Sequence, residues 1–91
     1  MKHIKNILDE LIKDIGIDKA VLQNRAIVVW EEAVGEKIAN IAKPKRIEKG
    51  KLWIAVKTPE WRSELQFMKK EIIKNLNRII GEEVVKDIIL R

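Results

Sequence analysis

The segment from Lys43 to Trp61, KPKRIEKGKLWIAVKTPEW, constrains the fold more than any other part of this sequence. Lys45–Glu48 and Lys51–Lys57 have the composition of two β-strands, and Lys49-Gly50 between them fits a tight turn. Thr58-Pro59-Glu60 then marks a helix start, because a threonine N-cap, a proline in the first turn and an early acid all favour that terminus. The segment therefore predicts a β-hairpin that leads directly into a helix.

Side chains in the second predicted strand alternate between two faces of the sheet. The apolar face carries Leu52, Ile54 and Val56, and the opposite face carries Trp53, Ala55 and Lys57. Pro44 lacks a backbone N–H, which places it at the start or edge of the first strand.

Two helices are predicted before the hairpin. The apolar stripe from Ile4 to Ile15 predicts the first, which ends at Gly16. A second runs from Lys19, after an N-cap at Asp18, to about Val34. Gly35 ends or kinks it, and Glu36 to Ile41 adds one or two further turns.

The longest apolar stripe follows the hairpin and predicts a long helix from Pro59 to Ile80 that ends at Gly81. Val84–Leu90 then predicts a third strand. The element order is α-α-β-β-α-β, which indicates an α+β fold in which a small three-stranded mixed sheet packs on the long helix. A right-handed crossover makes the third strand parallel to the second, and we expect it to lie beside the first. Residues 1–91 form a single domain in this interpretation.

Catalytic chemistry is difficult to place in this sequence. There is no cysteine, the one histidine is His3 at the start of the first helix, and Ser63 falls on a helix surface. Glu31, Glu32 and Glu36 are interpreted as a solvated acidic edge rather than a cation site, and glycine-rich phosphate loops are absent. We therefore predict no enzyme activity, no metal, no cofactor and no small-molecule substrate. With no signal peptide and no apolar run of about 18 residues, we expect no membrane contact. The absence of cysteine fits a reducing, cytoplasmic environment.

Binding to an anionic partner is the function that the charge distribution favours. Residues 43–57 hold six basic side chains and one acidic, a net charge of +5 that equals that of the whole chain. Such local basicity favours an anionic partner such as a nucleic acid, and the alternative is an ordinary solvated surface. The candidate nucleic-acid-binding residues are Lys43, Lys45, Arg46, Lys49, Lys51, Trp53 and Lys57.

The three tryptophans each allow two interpretations. If one of the first two helices covers the face of Trp53, this residue belongs to the core. If not, its indole is open either to a protein partner or to stacking bases. Trp30 and Trp61 lie on helical stripes and are core residues first. Because both lie near helix ends, they are also candidate partner-binding anchors.

Over residues 20–91, an ordered set of motifs resembles the DciA family of bacterial replicative-helicase operators. These motifs are, in order, Trp30-x4-Gly35-x2-Ile38-Ala39, Pro44, Gly50-x-Leu52-x-Ile54-x-Val56, Trp61-x3-Leu65, Leu76-Asn77, Gly81 and Ile88-x-Leu90-Arg91. The resemblance implies a domain likened to a type II KH fold. It also implies a protein without ATPase activity that binds the DnaB-type hexameric helicase, assists its loading and contacts DNA, either single-stranded or duplex.

Two departures from the family pattern bear on this expectation. Many members carry a long basic tail, whereas this sequence ends at Arg91, so either the folded module suffices or part of that function is weaker. The glycine-x-x-glycine loop by which KH domains hold nucleic acid is missing. Any DNA contact must then use the hairpin or the lysines of the long helix. The alternative function is a free-standing module that binds single-stranded DNA or RNA.

Overall fold

The computed structural model describes residues 19–91, and the predicted first helix lies outside them. The described elements are α1 (Lys19–Val28), α2 (Trp30–Val34), α3 (Glu36–Ile41), β1 (Ala42–Glu48), β2 (Lys51–Val56), α4 (Pro59–Ile80) and β3 (Asp87–Leu90). The predicted α+β class, with a small mixed sheet and one long helix, is confirmed.

The helical region before the sheet follows the prediction closely. Only Val29 separates α1 from α2, and its N–H still donates to the Arg25 carbonyl at 2.9 Å while its own carbonyl accepts from the Ala33 N–H at 3.0 Å. Gly35 separates α2 from α3 with φ 91° and ψ 162°. Side chains are strained at this positive φ, so a glycine suits the kink.

Helix α4 begins and ends where the sequence predicts. The Thr58 hydroxyl accepts a hydrogen bond from the Trp61 N–H at 3.2 Å, and Pro59 occupies the first helical position. At the other end Gly81 adopts a left-handed conformation, and its N–H donates to the Asn77 carbonyl at 2.8 Å. The helix therefore has a defined cap at each terminus.

Strands β1 and β2 form the predicted hairpin. Lys49 and Gly50 both have positive φ, 51° and 82°, as a type I′ turn requires. β1 is longer than predicted because it begins at Ala42. Its pairing shifts between Pro44 and Arg46, which leaves Lys45 in a β-bulge.

The third strand runs parallel to β2, as predicted, but its expected position beside the first strand is wrong. The sheet order is β1-β2-β3, so β2 is central. Pro44 has no N–H to donate and the adjacent bulge interrupts β1, whereas β2 offers an unbroken edge. The crossover rule fixes handedness and direction but leaves the choice of neighbour open.

The prediction that the third strand begins at Val84 is also wrong, because Val84 and Val85 lie in the loop before β3. The side chain of Asn77 holds this loop on α4. Its carbonyl accepts from the Val84 and Val85 N–H groups at 3.1 and 2.9 Å, and its amide donates to the Val85 carbonyl at 2.9 Å. Two buried valines are thus fixed without a strand partner.

One apolar core lies between the inner face of the sheet and the helices. Its sheet residues include Leu52, Ile54 and Ile88, which are buried together with Leu65 and Leu76 of α4. Helices α1 and α2 share this core through Ala26, Val29 and Trp30. Helix α3 contributes Ala39 to the same core. The four described helices therefore all contribute to the core on the inner side of the sheet.

Candidate nucleic-acid interface

The opposite, outer face of the sheet is arranged in three rows of residues that pair across the strands. The turn row, next to the hairpin turn, consists of Glu48, Lys51 and Asp87; the middle row of Arg46, Trp53 and Ile89; and the end row of Lys43, Ala55 and Arg91. The register of Arg91 follows from two backbone bonds, its N–H to the Ile54 carbonyl at 2.9 Å and the Val56 N–H to its carbonyl at 3.0 Å.

Positive charge on this face is concentrated away from the hairpin turn. The turn row carries two acids and one base, whereas the middle and end rows carry three bases and no acid. Asp87 also pairs with Lys69 of α4 at 3.7 Å. Lys45, exposed in the bulge, adds a further cation at the middle of β1. An anionic ligand is therefore favoured over the middle and end rows and disfavoured over the turn row.

Trp53 lies between two arginines at the centre of this face. The Arg46 guanidinium, from β1, is 4.5 Å from the indole centroid, and the Arg91 guanidinium, after β3, is 5.2 Å from it. Both distances fall within the range of cation–π attraction. Since β2 is the central strand, the two cations approach the indole from its two sides.

Trp53 is half-buried and takes no part in the core cluster. The second predicted helix, seen as α1 and α2, packs on the inner side and does not cover it. The core interpretation of Trp53 is therefore wrong for this helix, while the first predicted helix lies outside the described residues.

A shallow depression of about 190 Å³ opens beside the indole. Its lining includes Arg46, Trp53, Ala55 and Arg91, with Lys45 at its edge. Clefts for drug-sized ligands are larger, about 300–1,000 Å³. The depression accommodates a single small group flanked by cations.

The sequence model of one family, described as "Dna[CI] antecedent, DciA", matches residues 3–90. The chain belongs to the DciA family. The predicted family membership is thereby confirmed. UPF0232 proteins are similar to it: 25% identical over 79 residues in Mycobacterium tuberculosis strain H37Rv, 24% over 79 in Mycolicibacterium smegmatis and 25% over 87 in Corynebacterium glutamicum strain R.

These alignments cover 87%, 87% and 96% of this chain but 42%, 41% and 49% of the respective relatives. The chain thus spans less than half the length of the curated relatives it matches. The family assignment therefore applies to the matched region of this chain, residues 3–90.

Sequence reasoning missed Arg91 in this DciA-family domain. Alternation through the buried Ile88 and Leu90 assigns Arg91 to the outer face together with Ile89. The expected strand order, however, placed the third strand beside β1 and away from Trp53. Because the predicted strand order was wrong, the contact between Arg91 and Trp53 was not predicted.

The other predicted nucleic-acid-binding residues are spread along the hairpin. Lys49 lies in the turn, and Lys51 belongs to the turn row with its two acids. Lys57 follows β2 at the opposite end, where its N–H donates to the Ile41 carbonyl at 2.9 Å. Only Lys43, Lys45 and Arg46 are brought close to the middle and end rows around Trp53.

The two candidate partner-binding tryptophans differ in exposure. Trp30 is only 2% exposed, and its indole N–H donates to the Ala42 carbonyl at 2.8 Å, so it joins α2 to β1 within the core. Trp61 is partly buried at the start of α4, and the Lys37 ammonium lies 5.7 Å from its ring centroid. Of the two, Trp61 alone presents surface to a partner.

The end of α4 forms a second charged surface, which includes lysines of the long helix. Lys70, Lys74 and Arg78 line a depression of about 550 Å³ together with Glu82 and Glu83. The two acids offset most of the positive charge. This surface is therefore less suited to a polyanion than the middle and end rows.

Within residues 19–91, no group of three or more histidine, cysteine or acidic side chains is placed to hold a metal ion. Ser63 is exposed on α4, and His3 lies outside the described residues. No helix in the described part of the chain is long and apolar enough to cross a membrane.

Proposed function

We propose that this chain is a non-enzymatic DNA-replication adaptor that binds a DnaB-type replicative helicase and assists its loading. The observation that carries this proposal is the family match over residues 3–90. In this role the domain acts in the cytoplasm and needs no cofactor or metal, since its contribution is to hold two macromolecules together.

DNA binding in this proposal is weak and independent of sequence, and it occurs through the basic outer face. Of the predicted residues, those away from the turn are proposed to carry it, namely Lys43, Lys45, Arg46, Trp53 and Lys57. Lys49 and Lys51 lie at the turn, where Glu48 and Asp87 disfavour an anion. Support comes from the excess of exposed cations in the hairpin and the absence of acids in the middle and end rows. Such contacts neutralise phosphates, so affinity falls as salt rises.

Helicase binding is proposed to involve Trp61. Partly exposed tryptophans are effective interface anchors because they bury a large apolar surface at low entropic cost. Trp61 lies beside Lys37 and near the helix start, on a different element from the outer face. One domain could thus hold the helicase and DNA at separate surfaces.

Gel filtration of the chain mixed with the replicative helicase of the same organism tests the adaptor. At micromolar concentrations we expect the two to co-elute, and we expect Trp61→Ala to weaken the complex while the circular dichroism spectrum is unchanged. Arg62→Ala, one residue along α4 and exposed, is the matched control. Separate elution of the wild-type chain and the helicase would refute the adaptor.

A free-standing module for single-stranded DNA or RNA is the alternative function. The observation that favours it is Trp53 with its two arginines at the centre of the outer face. The same mixing experiment separates the two functions: a chain that binds oligonucleotides at low salt but never co-elutes with the helicase fits the module.

A further inference from the structure

We infer that Arg46, Trp53 and Arg91 form a clamp for one phosphodiester group of the nucleic-acid backbone, in which Trp53 positions the arginines and does not stack on bases. The inference rests on the proposed DNA binding and specifies its chemistry. It adds Arg91 to the predicted nucleic-acid-binding residues.

The first argument is that both guanidiniums are held in place but remain free to bind. Each lies within cation–π distance of the indole, at 4.5 and 5.2 Å. A cation–π contact attracts the guanidinium without occupying its N–H groups in a hydrogen bond, so these donors remain for an anion. No carboxylate of residues 19–91 lies within ion-pairing distance of Arg46 or Arg91, so these donors are not already taken by an acid.

The second argument is the space between the arginines. Ala55 is the only small side chain at the centre of the middle and end rows, and it lines the depression of about 190 Å³ beside Trp53. A larger residue there would fill the space. Arg46, Arg91 and Lys45 line the same depression, so one small anion would meet three cations.

The third argument is that two guanidiniums already lie against the indole. Arg46 approaches it from β1 and Arg91 from the side of β3. A base that stacked on Trp53 would compete with these guanidiniums for contact with the ring, so stacking would weaken the hold on a phosphate-binding cation. The arrangement favours the backbone over the bases and explains why binding would be independent of sequence.

A nucleic acid fits this surface better than an acidic peptide. Beyond the clamp, Lys43 and Lys57 continue the positive charge at the end of the sheet away from the turn. A polyanion with one charge on every unit can meet all of these cations in succession. The acids of the turn row, Glu48 and Asp87, keep its path away from the hairpin turn.

Fluorescence anisotropy with two labelled oligomers of about 12 units, one of thymidine and one of abasic sugar-phosphate, tests the clamp. We expect their dissociation constants to agree within about threefold, because the bases are not used. Arg46→Ala and Arg91→Ala should each weaken binding of both oligomers about tenfold. Each should also reduce the slope of log affinity against log salt by roughly 0.7.

Four further variants distinguish the clamp from a non-specific effect of charge and from a loss of folding. Ala55→Leu fills the depression without changing charge and should weaken binding about tenfold. Lys51→Ala removes one charge from the turn row and should change affinity less than about twofold. Trp53→Phe retains a ring and should bind better than Trp53→Leu, with both oligomers affected equally. Thermal melts by circular dichroism establish that each variant is folded.

Several results would overturn the clamp. Abasic binding more than about tenfold weaker than thymidine binding would show that bases stack on Trp53. If Arg91→Ala and Lys51→Ala weakened oligomer binding equally, binding would depend only on the overall positive charge and not on a specific site. Tighter binding of an oligoglutamate peptide than of either oligomer would assign the site to an acidic protein. Failure of the wild type to bind either oligomer, with helicase co-elution intact, would overturn the clamp and leave the adaptor.

Discussion

The two faces of the sheet are built from alternate residues of the same strands and have opposite properties. On the inner face Leu52, Ile54 and Ile88 are buried against the helices. On the outer face Trp53 is half-buried between two guanidiniums and lies outside the core. Neighbouring residues of β2 thus contribute separately to stability and to binding, and substitutions one residue apart can distinguish the two roles.

The largest expected effect comes from the inner face. Leu52 is fully buried, so Leu52→Ala should lower the free energy of unfolding by about 2–5 kcal/mol through lost contacts and a residual cavity. Urea denaturation followed by circular dichroism measures this change. Trp53→Leu, one residue along, should cost less than about 1.5 kcal/mol, because it keeps an apolar side chain outside the core. Equal losses in the two variants would contradict the division between the faces.

The next largest effect is expected at Asn77 of α4. Its side chain holds the loop before β3, and this strand contributes residues to both faces of the sheet. Asn77→Ala removes all three side-chain bonds to the loop before β3, and we expect a loss of about 2–4 kcal/mol. The same change should weaken oligonucleotide binding, since Arg91 directly follows β3 and depends on the position of that strand. Asn77→Asp keeps the acceptor for Val84 and Val85 but loses the donor, and should retain part of the stability.

Hydrogen exchange gives a local measure for the same variant. The Val84 and Val85 amides should exchange faster in Asn77→Ala than in the wild type, while amides in the middle of α4 change in proportion to global stability alone. Unchanged protection of both valine amides would show that the side chain of Asn77 does not hold the loop.

The smallest effect is expected at the cap of α4. Thr58→Ala removes the acceptor for the Trp61 N–H and should lower the free energy of unfolding by about 1 kcal/mol. Thr58→Ser keeps a hydroxyl acceptor and should retain most of this stability. This cap stabilises α4, which packs on the inner face of the sheet. At a temperature where the Thr58→Ala variant is folded, its oligonucleotide affinity should therefore equal that of the wild type. If the folded Thr58→Ala variant lost DNA binding, the separation between a stabilising inner face and a binding outer face would be contradicted.

Features that depend on local chemistry could be predicted from the sequence. Lys49-Gly50 predicts a turn with positive φ, Thr58-Pro59 predicts a helix start, and Gly81 predicts its end; all three lie where expected. In each case the deciding contacts join residues within four positions in the chain, so a short stretch contains the whole signal.

Features that depend on distant residues could not be predicted in the same way. Val84 and Val85 are as apolar as strand residues, but the side-chain amide of Asn77 on α4 hydrogen-bonds to both and holds them in a loop. The position of β3 depends on which edge of the hairpin is open to pairing. Arg91 reaches Trp53 only in the observed order, so the error in topology became an error in the site.

The measurement that tests the central claim most directly is a titration of the ¹⁵N-labelled chain with a thymidine oligomer, followed by NMR. We predict that the perturbed signals belong to the middle and end rows, including the Trp53 indole N–H and the Ala55 and Arg91 amides. The amides of Leu76 and Arg78, on α4, should be unaffected. Perturbations centred on Lys70, Lys74 and Arg78, with the Trp53 indole unchanged, would contradict the account.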